Sequence, residues 1–517
     1  MLSATFDSPA RARRPIALKP RHRIAPWSLF ATVALLATCP AALAQAQSFR
    51  VELPASVTDR PITGRLYVLL SQRDGRPPMF GPNWFEPEPF AGLDVTDFAP
   101  GESRALDDSA DCFPSKFSEL PPGEYRVQAL LDHNFYSANH ALGEGNLYSE
   151  VVEMRLGSDT GETKLTLTQT IPPAAFPDSR WVREVEITSR LLSDFHGREV
   201  VDRAAVVVPA SYYDRPQQRY PVLYVVSGFG GTVDRMAARY ADGPAPAEEG
   251  DVEWLRVLLD GQCKWGHHVY ANSATNGPRG DALVDEMIPH IDEQFRTIAA
   301  PTARLVGGHS SGGWSSLWLQ VAYPDTFGGV WSTSPDPVDF RDFQQVDLYA
   351  EPPLSLYFDP TGQRRPLARQ PVLWFDRFAH MDDCLGRGGQ LRSFEAVFSP
   401  RGEDGLPRRA WDRQTGRIDP AVIDAWRKYD INLYLKDNWA ELGPKLRGKL
   451  HITTGELDTF YLEGAVELLK ETLAELGSDA EIEIVPGADH GSVLTPALRE
   501  EQRRQMAEQF RKHHQWP

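Results

Sequence analysis

The stretch LVGGHSSGGWSSLWLQVAYP, Leu305 to Pro324, limits the fold more than any other part of the 517-residue chain. An apolar run enters two adjacent serines enclosed by glycines, and a helix-like run stopped by Pro324 follows. Within it GHSSG, Gly308 to Gly312, fits the pattern G-x-S-x-G with Ser310 at its centre. A chain that turns sharply from strand to helix needs small residues on both sides of the turn, because larger side chains collide there. The turn lifts the central serine above the sheet edge, at the N-terminus of the next helix. Helix dipole and free N–H groups there favour developing negative charge. The other frame centres Ser311 and puts His309 where a small residue is wanted. Ser310 is therefore the candidate nucleophile, and the N–H of Ser311 is a candidate oxyanion donor.

A serine is a poor nucleophile without a base, and the base needs an acid to orient it. KLHITTGELDTFYL places Asp458 just past a strand-like run, and AEIEIVPGADHGSV places His490 just past the next. Groups at the ends of successive strands converge at one sheet edge. Glu456 and Asp489 are rival acids, and His267, His268, His309 and His380 are other histidines. A second oxyanion donor belongs on a loop after an earlier strand. YVVSGFGGTVD supplies Gly228, Phe229, Gly230 and Gly231, where backbone N–H groups can approach a carbonyl oxygen.

The surrounding pattern is α/β. YPVLYVVSG and TARLVGGH read as buried strands and GDALVDEMIPHIDEQF as a helix. FGGVWSTSP, KLHITTG and AEIEIVPG read as strands, with GAVELLKETLAELG and PALREEQRRQMAEQFRKH as helices between and after the last two. This alternation predicts a mostly parallel sheet with helices on both faces over 180–517. Residues 337–445 form a long cap-like insertion, rich in Pro, Arg, Asp and aromatics. Residues 45–175 read as an all-β, sandwich-like domain, with GRLYVLLSQ, GEYRVQALLD, SEVVEMRL and TKLTLTQTI as strands. The proline-aromatic segment PPMFGPNWFEPEPF reads as a loop packed on the next domain.

Residues 1–44 read as an export signal: six Lys/Arg, then WSLFATVALLATCPAALA ending in Ala42-Leu43-Ala44. The apolar run is short and interrupted, so no stable membrane span is expected after cleavage, and the destination is periplasmic or extracellular. The segment carries one acid, so the rest of the chain is five charges more negative than the net −17 of the whole. That balance argues against nucleic acid or anionic membrane as partners. Of Cys112, Cys263 and Cys384, the last two fall in the α/β region and are expected to pair. No Cys/His cluster has metal-ligand spacing, so neither metal nor cofactor is expected.

YPVLYVVSGFGG, GDALVDEMIPHIDEQFR, LVGGHSSGGWSSLWLQVAYPDTFGGVWSTSP, GELDTFYL and GADHGSV resemble, in order, the blocks of the putative-esterase family. That family includes S-formylglutathione hydrolases, feruloyl esterases, enterochelin-esterase-like proteins and mycolyltransferases. The resemblance covers about 183–335 and 446–515. It implies an α/β-hydrolase fold and serine esterase chemistry on a small-molecule or glycan ester. Ser310 then resembles the nucleophile, Asp458 the acid, His490 the base, and Phe229 and Ser311 the oxyanion donors. An acyltransferase with the same triad, and a non-catalytic carbohydrate- or partner-binding protein, are the competing readings. Asp336, Asp339 and Asp342 follow the strand after the serine helix and read as a solvated loop, the alternative being acids that face a cationic or polyhydroxyl substrate. The oligomeric state is not legible.

Overall fold

Alternating apolar and polar residues in the first part of the chain form nine strands. They are β1 (Ser48–Glu52), β2 (Ile62–Ser71), β3 (Phe90–Phe98), β4 (Ser103–Leu106), β5 (Asp111–Phe113), β6 (Gly123–Asp132), β7 (Leu147–Ser149), β8 (Val152–Leu156) and β9 (Glu162–Thr170). The computed structural model describes residues 47–134, 136–157, 161–244 and 252–516. The expected export signal lies outside the described residues. The nine strands form one sheet in the order β4-β1-β9-β7-β6-β2-β3-β5, with β8 beside β6. Only β1 and β9 pair in parallel. Strand β2 shows why so much of this sheet is buried on both sides. Leu66, Val68 and Leu70 join a core built within the sheet. Tyr67 and Leu69, on the other face, join the main core of the molecule.

The α/β region contributes β10 (Val182–Thr188), β11 (Val201–Val207), β12 (Val222–Val226), β13 (Leu255–Leu259), β14 (Arg304–His309), β15 (Val330–Thr333), β16 (Leu450–Gly455) and β17 (Glu481–Val485). They form one mixed sheet in the order β10-β11-β13-β12-β14-β15-β16-β17. The six strands from β13 to β17 run parallel, while β11 is antiparallel to both neighbours. Main helices are α1 (Val233–Ala238), α2 (Ser311–Ala322), α3 (Phe375–Leu385), α4 (Gln390–Phe398), α5 (Ile431–Leu446), α6 (Glu463–Glu475) and α7 (Pro496–Arg511). Both faces of the sheet are covered. Val306 and Val257 pack with Trp314 and Leu317 of α2. Leu305 and Trp331 pack with Met506 and Phe510 of α7 on the opposite face. Leu258 and Val207 pack with Val233 and Ala237 of α1.

Two sequence expectations change in the structure. GDALVDEMIPHIDEQF is not one regular helix: α-helical turns at Arg279–Ala282 and Ile288–Gln294 flank a π-helical turn over Leu283–Met287. Pro289 lacks an N–H and its ring crowds the preceding turn, so a regular ladder cannot run through it. The expected Cys263–Cys384 pair is absent. Cys112, Cys263 and Cys384 are all free and buried. The Cys263 thiol donates to Asn276 Oδ1 at 3.6 Å. The Cys384 thiol donates to the carbonyl of Cys112 at 3.4 Å, because α3 docks on β5 of the N-terminal sheet. Burial pushes all three thiols up, Cys263 to about 11.

Residues 337–445 are stitched into the core. Phe375, Phe394, Phe398, Trp411 and Trp426 share the cluster of Trp314. Arg65 of β2 donates to the Cys384 carbonyl at 2.8 Å, and Tyr67 Oη to the Leu385 carbonyl at 2.5 Å. Glu395 is wholly buried between Arg392, 3.1 Å, and Arg413, 2.7 Å, and accepts the Ala410 N–H at 2.9 Å. Removing one partner of such a buried group strands the others, at a cost of about 3–5 kcal/mol. Glu395→Ala should therefore lower the melting temperature by roughly 3–5 °C. An unchanged thermal melt would remove this anchor.

Candidate active site

Ser310 stands at the turn from β14 into α2 with φ 61° and ψ −128°. A non-glycine residue in that region costs on the order of 1–3 kcal/mol and needs neighbours that enforce it. The enforcement is visible. Ser310 N–H donates to the Thr333 carbonyl at 3.0 Å, and its carbonyl accepts from Trp314 N–H at 3.0 Å and Asp336 N–H at 3.3 Å. Gly308 and Gly312 make the turn possible. A Cβ on Gly308 would lie 2.2 Å from the Gly312 carbonyl oxygen, and one on Gly312 would lie 2.3 Å from that of Val226. Ser311 is buried and its hydroxyl is committed to Asp336 Oδ2 at 2.6 Å. Of the two serines, only Ser310 occupies the strained apex.

The loop after β12 runs against this turn. A Cβ on Gly228 would stand 3.1 Å from the His309 carbonyl oxygen and 3.5 Å from Ser310 Cβ. Gly230 has φ 74°, which lets the loop turn away directly after Phe229. The Phe229 ring is held by Trp84, with ring centroids 5.5 Å apart, and Trp84 in turn meets Phe378 of α3 at 5.0 Å.

Asp458 follows β16 and His490 follows β17. His490 Nδ1 and Asp458 Oδ2 are 2.8 Å apart, and Asp458 is fully buried. Asp458 Oδ1 accepts the Phe460 N–H at 2.9 Å, so both carboxylate oxygens are held. The His490 ring lies between His309, centroids 4.5 Å apart, and Phe460, 5.0 Å in edge contact. Since His309 precedes Ser310, this contact brings His490 beside the serine turn. The rival acids are used elsewhere. Glu456 Oε2 accepts the Gly487 N–H at 2.8 Å. Asp489 Oδ1 accepts from Gly491 and Ser492 N–H, at 2.9 and 2.7 Å, within its own turn.

The other histidines have local roles. Burial holds His309 down to about 4, so it stays neutral beside His490. His267 is buried against the Ser227 carbonyl at 2.9 Å and is likewise held to about 4. His268 is buried too, and His380 packs edge-on against Phe113. The expected solvated loop of aspartates is not solvated. Asp336 and Asp339 are buried, and Asp342 caps the Gln345 N–H at 2.6 Å. Asp339 pairs with Arg341 at 2.5 Å and accepts from Asn432.

Sequence reasoning did not single out Trp84, Phe378 or Gln390. Trp84 lies in the proline-aromatic segment, whose packing partner includes the loop of the candidate oxyanion donor. Gln390 opens α4 and its Nε2 reaches Ser311 Oγ at 3.3 Å. A cleft of about 1510 Å³ lies elsewhere, lined by Met79, Tyr148, Arg203, Arg279 and Leu406. None of Ser310, Asp458 and His490 lines it.

Residues 202–397 match the model of a family described as putative esterase. That span holds Phe229, Ser310 and Ser311. Similar solved structures include a ferulic acid esterase, 13% identical, with 64% of this chain and 98% of that one covered and a TM-score of 0.39. S-formylglutathione hydrolase from Agrobacterium tumefaciens is 14% identical, covering 64% and 95%, with a TM-score of 0.38. FphF, a fluorophosphonate-binding serine hydrolase of Staphylococcus aureus, is 12% identical, covering 64% and 98%, with a TM-score of 0.37. No curated protein matches significantly.

The close contacts of Gly312 give a direct test. Gly312→Ala pushes a methyl group into the end of β12 and must displace the serine turn. Hydrolysis of an activated ester should fall at least about a hundredfold, as expected when reacting groups move by about 1 Å. Alanine at half-buried Gly448, where an added Cβ would meet nothing but φ is 67°, should affect stability only. Equal activity of the Gly312 variant and wild type would show that the turn tolerates the shift.

Proposed function

We propose that the protein is an exported serine hydrolase that cleaves a carboxylic ester through an acyl-enzyme. The observation that carries this reading is the 2.8 Å His490 Nδ1–Asp458 Oδ2 contact beside a strained Ser310. In this mechanism His490 Nε2 takes the proton of Ser310 Oγ as the oxygen attacks the ester carbonyl. Asp458 holds the Nδ1–H tautomer and stabilises the imidazolium that forms. The N–H groups of Phe229 and Ser311 receive the oxyanion. His490 then protonates the leaving alkoxide, and water, activated by the same histidine, attacks the acyl carbonyl and frees Ser310. If an acceptor alcohol replaces that water, the same groups perform acyl transfer.

The finer architecture belongs to this reading. Residues 45–175 act as a sandwich-like β domain, and 337–445 act as a cap whose aromatics and Gln390 form part of the pocket wall. The substrate is a small-molecule or glycan ester. Residues 1–44 direct export to the periplasm or beyond and are removed. Sequencing the N-terminus of the secreted protein tests that step: a start near Gln45 is expected.

Ser310→Ala should abolish ester hydrolysis and labelling by a fluorophosphonate probe, while Ser311→Ala, which keeps its N–H, stays within about tenfold of wild type. Asp458→Asn should lose on the order of 10⁴ in turnover, because the histidine is then held in the wrong tautomer. Asp489→Asn and Glu456→Gln should each lose about tenfold or less, since their carboxylates bind their own turns. Turnover of all variants on one aryl ester, with thermal melts as folding controls, decides the assignment. Labelling at a residue other than Ser310 would overturn it. A folded, unlabelled wild-type protein would favour the binding reading.

A further inference from the structure

Asp336 has an unusual set of neighbours. It follows β15, is 7% exposed, and aims its carboxylate at the residue after the candidate nucleophile. Oδ2 accepts from Ser311 Oγ at 2.6 Å and from Gln390 Nε2 at 3.4 Å. Its backbone N–H donates to the Ser310 carbonyl at 3.3 Å. Gln390 is itself fixed. It opens α4, whose first N–H groups are capped by buried Asp382 Oδ2, with Leu391 N–H at 2.8 Å. The charges acting on Asp336 are those of His490, which attracts, and Asp458, which repels. No lysine or arginine side chain is hydrogen-bonded to it among the described residues. A desolvated carboxylate with no lysine or arginine hydrogen-bonded to it is costly to ionise. Burial accordingly pushes Asp336 up to about 6.

The cost has a use once His490 becomes an imidazolium. Resting on the Ser310–His490–Asp458 reading, we infer that Asp336 is a second acid of the site, a positioning residue. It holds Ser311 so that its N–H meets the oxyanion, and it adds a second negative charge to the histidine cation. Asp458 orients the histidine through a direct hydrogen bond, whereas Asp336 acts through Ser311 and through space. Gln390 ties the insertion into the same unit, so the wall of the site and the oxyanion donor move together.

Asp336→Asn separates charge from shape. Asparagine Oδ1 can accept from Ser311 Oγ and Gln390 Nε2 as Asp336 Oδ2 does. The sign of the stability effect follows from the raised pKa. Ionising Asp336 destabilises the fold: the penalty is absent below about pH 4 and complete above the folded value of about 6. The variant should melt at or above the wild-type temperature at pH 7.5, so lost folding is not its expected failure.

Steady-state kinetics on one activated aryl ester test the inference. Asp336→Asn should lower kcat about tenfold while KM stays within about twofold. The acid limb of kcat/KM should move about half a unit to lower pH, because removing an anion weakens the imidazolium. Other groups around the histidine are unchanged: Asp458, Asp489, the neutral His309, and Arg499. Ser311→Ala breaks the hydrogen bond but keeps the charge. It should lower kcat about threefold and leave the acid limb in place. In an Asp458→Asn background, Asp336→Asn should cost more than it does alone, because one remaining carboxylate then serves the cation. Wild-type kcat and an unshifted acid limb in Asp336→Asn overturn the inference. Strictly multiplicative losses in the double variant also overturn it. Activity surviving in Ser310→Ala would instead overturn the reading beneath it.

Discussion

The backbone of Ser310 is held at φ 61° by everything that touches it, and the rest of the site is arranged around that enforced turn. Glycines at 308 and 312 let β14, α2 and the end of β12 approach within a spacing no Cβ permits. The Thr333 carbonyl and the Asp336 N–H fasten the turn from the neighbouring strand. Strain at one residue survives because several rigid elements over-determine it. The same crowding brings the loop of Phe229 beside the turn. The proposed oxyanion geometry would then be a by-product of the packing that holds the serine.

Electrostatics follows from burial. The sheet edge collects two buried carboxylates, Asp336 and Asp458, and two partly buried imidazoles, His309 and His490. Desolvation keeps His309 neutral, so it fills space beside His490 without repelling a proton there. Asp458 carries no exposed surface, and its hydrogen bonds to His490 and to the Phe460 N–H replace solvent. Arg369 adds a donor to the Asp458 carbonyl and pairs with Glu463 at the start of α6. Local charges are thus balanced by neighbours rather than by bulk water, which strengthens each interaction.

Much of the parallel sheet was legible in the sequence because its strands are short apolar runs between turn residues. The candidates Ser310, Asp458 and His490 stand out in the sequence because each sits just past such a run, and His490 Nδ1 meets Asp458 Oδ2, not Glu456 or Asp489. Other features were hidden for a common reason: they depend on contacts between segments far apart in the chain. Cys384 turns toward Cys112 because α3 docks on the N-terminal sheet, which no local pattern reveals. Asp336, Asp339 and Asp342 look like a polar loop, yet Asp336 is buried by Ser311 and Gln390. Trp84 sits in a segment that reads as turn chemistry, and only its partners, Phe229 and Phe378, give it meaning. The break at Leu283–Met287 was locally visible in Pro289, but helical spacing of Leu283, Met287 and Ile291 masked it.

The two-faced β2 strand has a consequence for the order in which the chain completes its fold. Leu66, Val68 and Leu70 find partners within the first 170 residues. Tyr67, Leu69, Phe90 and Phe113, on the reverse side, share a cluster with Phe375, Phe378, Met381 and Cys384. During synthesis the N-terminal layer therefore emerges with one oily surface that stays uncovered until some two hundred further residues have left the ribosome. Exposed apolar surface of that kind is what draws nascent chains into aggregates and onto chaperones. The layer is thus a half-finished body waiting for its own later sequence, and its solubility in that interval depends on the cell rather than on its own packing.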